Sequence, residues 1–98
     1  PYVPVSPAYS LISTDFGKLR HVLRLPTPGL AFAADGGRFA KAIAAAVPAG
    51  TEVLTGADLA RLEATSPTEA VERAHAGVGP DTVAEFLLTS GSTGMPKA

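Results

Sequence analysis

The 98-residue chain is 46% hydrophobic and 17% charged, with 10 Gly, 9 Pro and no Cys. Eight Lys and Arg against nine Asp and Glu leave a formal charge of -1, so there is no basic block to neutralise a row of phosphates, and sequence-independent nucleic-acid binding is disfavoured. The longest small or apolar run, Ala42 to Val47, stops at Pro48, far short of the ~20 residues that span a bilayer, and the missing Cys removes disulfides and Cys-based zinc sites, in keeping with a reducing, cytoplasmic location.

Tyr2 to Val5 is β-rich but punctuated by Pro4, which predicts an extended segment entering a Ser6-Pro7 turn. Beyond Ser13-Thr14-Asp15, the apolar residues Phe16, Leu19, Val22 and Leu23 recur on one helical face, and Pro26 ends that helix. Leu30 to Ala33, between a Pro-Gly turn and the turn Asp35-Gly36-Gly37, reads as a short buried strand. Phe39, Ile43 and Val47 repeat every four residues, predicting a second helix closed by Pro48 and Gly50. Glu52 to Leu54 reads as a strand and Asp58 to Glu63 as a weak helix. Ser66-Pro67-Thr68-Glu69 has the form of a capping box opening a helix to about Ala76. Gly77, Gly79 and Pro80 break it, and Val83 to Leu88 is expected to be an apolar strand. Strands alternating with helices predict an α/β fold: a partial parallel sheet with flanking helices.

The segment with chemical content follows that last strand: Thr89-Ser90-Gly91-Ser92-Thr93-Gly94-Met95-Pro96-Lys97. Gly91 and Gly94 open backbone angles closed to other residues and let main-chain N–H groups approach an anion. Thr89, Ser90, Ser92 and Thr93 add hydroxyl donors, and Lys97 adds a point charge suited to phosphate oxygens. A loop beyond the carboxyl end of a parallel strand is where ligands bind in open α/β sheets. A Ser/Thr/Gly run is also what a flexible linker looks like. The order of residues separates the two, because eight specified positions at about one in 15 each coincide on the order of 10^-9 per start. P-loop NTPases are disfavoured, since they need Gly before the Lys and Ser or Thr after it, where this chain has Pro96 and Ala98.

Thr89 to Lys97 resembles the phosphate-binding signature of the adenylate-forming ligases, a superfamily of acyl- and aryl-CoA synthetases, adenylation domains and luciferases. Pro4-Val5-Ser6-Pro7-Ala8-Tyr9, Asp15 to His21 and Thr27-Pro28-Gly29-Leu30 look most like its feruloyl-CoA synthetase branch. The resemblance implies that residues 1–98 are an internal fragment of the large N-terminal AMP-binding domain, ending at the phosphate loop 89–97. It implies two steps: a hydroxycinnamate-like carboxylic acid attacks Mg-ATP to give an acyl-adenylate, and coenzyme A thiol then displaces AMP. Thr89, Ser90, Gly91, Ser92, Thr93, Gly94 and Lys97 match the positions that hold the ATP phosphates. The adenine pocket, the Mg²⁺-binding Glu, the ribose-binding Asp and the catalytic Lys fall outside these residues in the family, so the fragment alone is expected to form no adenylate, and no catalytic or metal-binding residue is assigned in it. The alternatives are an adenylation domain loading a carrier protein, or a noncatalytic module that keeps the loop for nucleotide binding or as a structural turn.

Other candidates read as structural. His21, one residue from its helix's apolar stripe, is expected to be partly exposed, and His75 to interact with a helix C-terminus. Lys18, Arg20 and Arg24 read as a solvated basic face rather than a coenzyme A phosphate site. Tyr9 fits either packing or a substrate-side surface.

Overall fold

The computed structural model describes residues 1–90 and 94–98. Among these, five α-helices accompany a two-stranded parallel sheet and a short antiparallel hairpin. The α/β expectation holds in that form.

The chain enters through an extended Tyr2–Val5 and turns at Pro7 into α1 (Ala8–Leu11). This helical turn was expected only as a bend. Ser6 Oγ accepts from the Ala8 N–H at 3.3 Å, so Ser-Pro here is a helix-entry signal.

α2 (Gly17–Arg24) starts where the sequence places it. Ser13 Oγ accepts from the Phe16 N–H at 3.1 Å and donates to Asp15 Oδ1 at 2.9 Å, while that carboxylate accepts from the Gly17 N–H at 3.0 Å. Two otherwise orphan amides at the helix entrance are thereby satisfied.

The strand β1 (Leu30–Ala33), helix α3 (Ala40–Ala46) and strand β2 (Glu52–Thr55) form a parallel β-α-β unit with Leu30 opposite Glu52 and Ala33 opposite Thr55. Asp35 Oδ1 accepts from the Arg38 N–H at 2.9 Å, confirming the predicted turn before α3. The core lies at the seam of α2 and α3, where Leu19 meets Ala42 and Ala46, with Val5, Tyr9, Phe16 and Leu23 packed around them. The expected stripe of α3, Phe39, Ile43 and Val47, is only half-buried. The small alanines take the innermost positions because they let the two helices approach closely. Arg20 crosses the seam and donates to the carbonyls of Asp15 and Ala45, so it does not belong to a freely solvated basic face. Tyr9 packs against this core and carries Lys18 Nζ 6.0 Å from its ring centroid.

After β2, a 3-10 turn at Gly56–Asp58 leads into α4 (Leu59–Glu63). Asp58, expected to start the helix, instead turns back: its Oδ2 accepts from the Thr55 N–H at 2.8 Å and from Thr55 Oγ1 at 3.1 Å. In α5 (Glu69–Ala76) the cap is Thr68 and not Ser66, since Thr68 Oγ1 accepts from the Val71 N–H at 3.4 Å. Pro67 therefore precedes the helix. This start places Glu69 and Glu72 in the first turn, where carboxylates meet the positive end of the helix dipole.

The largest departure concerns Val83 to Leu88. This stretch pairs at one point, where the Tyr2 N–H donates to the Ala84 carbonyl at 2.8 Å and the Phe86 N–H to the Tyr2 carbonyl at 2.9 Å. Continuing the parallel ladder would require the next donor, at position 4, to reach Phe86. Pro4 has no N–H, so pairing ends after one rung, and residues 83–87 are exposed. An apolar cleft of about 910 Å³ runs beside β1, walled by Val5, Leu23, Phe32, Ile43, Val53 and Phe86 among others.

Candidate functional site: the glycine-rich hairpin

Two short strands, β3 (Thr89–Ser90) and β4 (Pro96–Lys97), face each other antiparallel, with Thr89 opposite Lys97 and Ser90 opposite Pro96. The segment expected to be an irregular loop is thus closed at its base as a hairpin. Of the predicted phosphate-binding residues, Thr89, Ser90, Gly94 and Lys97 are described, and Gly91, Ser92 and Thr93 lie outside the described residues.

The pairing brings the first and last members of the signature together although seven residues separate them in sequence. Thr89 and Lys97 are both exposed. Thr89 Oγ1 donates to the Lys97 carbonyl at 3.4 Å, so in this arrangement its proton serves the hairpin, while its two lone pairs stay with the oxygen. Gly94 has φ +80°, a left-handed conformation that a side chain would strain, and an added Cβ there would meet nothing within 4 Å among the described residues. The backbone angle is what calls for glycine here.

The hairpin is not held by a strand leading into it, since residues 83–88 form no regular strand. It is held from α2. His21 Nε2 lies 2.8 Å from the Pro96 carbonyl oxygen, and Pro96 is the buried residue of β4. His21 is partly buried, as its place beside the apolar stripe predicted. The tie to Pro96 has no sequence signal, because nothing in the sequence pairs residues 75 positions apart. His75 is exposed in the last turn of α5, where a basic side chain suits the negative helix end.

Beside the hairpin, Met95 forms one wall of a hollow of about 470 Å³ shared with Tyr9, Ile12, Ser13, Asp15 and Lys18. The described residues of the hairpin supply amide, hydroxyl and ammonium groups and no carboxylate. That donor set fits a phosphate chain, and it lacks the carboxylate through which a protein usually holds Mg²⁺. Among the described residues no group of three or more His, Asp or Glu comes together. Likewise, no described helix is long and apolar enough to cross a membrane. In comparisons with known proteins, the chain matches no family model, no curated protein and no solved structure.

Proposed function

We propose that the hairpin cradles the phosphates of ATP and that the chain is a piece of the N-terminal domain of an adenylate-forming acid–thiol ligase. The observation that carries this reading is the register of Thr89 against Lys97. It holds a hydroxyl and an exposed ammonium at the two ends of a segment rich in Ser, Thr and Gly that also contains Met95 and Pro96, the arrangement that the order of TSGSTG-x-PK implies. The substrate class that follows from the resemblance is an aromatic, hydroxycinnamate-like carboxylic acid, with coenzyme A as acceptor.

In that reaction a carboxylate oxygen attacks the α-phosphorus of ATP, the bond to the bridging oxygen breaks, and pyrophosphate leaves with the electron pair. The thiol sulfur then attacks the acyl carbon, its proton is lost, and AMP departs. Negative charge grows on the β-phosphate as the first bond breaks. Preorganised N–H groups and a cation at that point stabilise the transition state more than the ground state. On this reading Lys97 and the Gly94 amide would supply those groups.

Titration of the chain with ATP or inorganic tripolyphosphate is expected to shift the amide resonances of Thr89, Gly94 and Lys97, and Lys97→Ala is expected to weaken binding about tenfold or more, as loss of a charge-assisted contact does. Unshifted hairpin resonances at saturating tripolyphosphate would remove the phosphate reading. In a complete ligase carrying this hairpin, Lys97→Ala should slow ATP–pyrophosphate exchange with little effect on acid binding.

A further inference from the structure

Lys97 carries its charge at the end of four methylenes, so where the ammonium goes depends first on how the backbone aims the Cα–Cβ bond. That aim is set by two peptide planes, one on each side of the Lys97 Cα. The preceding plane contains the Pro96 carbonyl and the Lys97 N–H. The Pro96 ring fixes its own φ near −65°, which leaves ψ of Pro96 as the soft torsion that rotates this plane. His21 Nε2 meets that carbonyl oxygen at 2.8 Å, and because a carbonyl only accepts, Nε2 carries the hydrogen and donates it. The following plane contains the Lys97 carbonyl, which accepts from Thr89 Oγ1 at 3.4 Å. Both planes are held by side chains, one of them from a helix whose neighbouring residues Leu19 and Val22 are buried.

We propose that His21 is a positioning residue for Lys97, locking the Pro96–Lys97 peptide plane to α2 so that the ammonium is directed before any ligand arrives. Its consequence for affinity rests on the reading that Lys97 meets phosphate; the locking itself concerns the backbone alone. A rooted lysine has less freedom to lose on binding, so the tie should strengthen phosphate affinity without touching phosphate.

The test compares the wild-type chain with His21→Leu, which fills the space without a donor, and His21→Gln, whose amide N–H₂ can reach the same carbonyl. The readouts are the ¹⁵N order parameter of the Lys97 amide, the α2 resonances as a folding control, and affinity for inorganic tripolyphosphate. His21→Leu should lower the Lys97 order parameter from about 0.85 to below about 0.6 and weaken tripolyphosphate binding about three- to tenfold, the range of one neutral hydrogen bond. His21→Gln should restore most of both. An unchanged Lys97 order parameter in His21→Leu overturns the proposal, as does unchanged affinity in a chain that binds tripolyphosphate. If His21→Leu fails to fold, His21→Gln decides: with α2 intact, an ordered Lys97 supports the tie and a disordered one overturns it. A wild-type chain that ignores tripolyphosphate refutes the phosphate reading, and the order parameters still decide the positioning.

Discussion

Asp15 and Asp58 each use a carboxylate to gather amides where the chain enters a helical turn. The Gly17 N–H, with Ser13 Oγ, holds the Asp15 carboxyl below its ordinary 3.8. The Thr55 N–H, with Arg61 and Thr55 Oγ1, holds Asp58 below the same value. A carboxyl whose pKa is lower in the folded chain stabilises that chain above 3.8, and the contribution fades as pH falls through the lowered folded value. Both titration midpoints, followed by side-chain carboxyl ¹³C shifts, are therefore expected below 3.8. The Thr55 amide should lose exchange protection as Asp58 protonates, and a midpoint at or above 3.8 would count against these hydrogen bonds. Asp15 is exposed and Asp58 half-buried at the surface, so each effect is local.

At the scale of elements, the β1–β2 pair depends on one close approach just past its end. The Gly56 N–H donates to the Ala34 carbonyl at 3.1 Å, and a Cβ built on Gly56 would collide with that same carbonyl oxygen. The obstacle is backbone, which cannot swing aside as a side chain would. Gly56→Ala should therefore destabilise the chain by about 1–3 kcal/mol, as overpacking does, read as a lower denaturant midpoint at unchanged slope. Elements with a periodic signal and their own caps were legible: α2, α3, β1 and β2 stand within a residue or two of their predicted limits. What misled was pairing. Val83 to Leu88 has the composition of a strand, but its partner meets Pro4 at the second rung, and a missing donor on one segment cannot be read from the other. At the candidate site, residue order singles out Thr89, Gly94 and Lys97 as candidates. The hairpin and its His21 anchor were not legible, since both are contacts between segments.

Over the whole molecule, apolar residues outnumber the places to bury them. The accessible surface is 7052 Å², against about 5,200 Å² for a compact monomer of this mass. The radius of gyration is 15.3 Å, where a compact chain of this length has about 13 Å. Among the described residues, burial centres on Leu19, Val22, Ala42 and Ala46, while Ile12, Phe32, Val71, Val78 and Leu87 stay exposed. Protection should follow this division. Native-state hydrogen exchange is expected to be slow in α2, α3 and the β1–β2 ladder and fast through α4, α5 and residues 77–88. Equal protection in α5 and α2 would contradict it.

One consequence follows from the place of α2. Leu19 plugs it into the seam, Val22 is fully buried, and His21, between them in sequence, meets the hairpin. The base of the hairpin therefore borrows its firmness from a helix it does not belong to. Whatever loosens the alanine-lined seam, even a substitution far from Lys97, should slacken β4 as well, so the two would melt as a single unit.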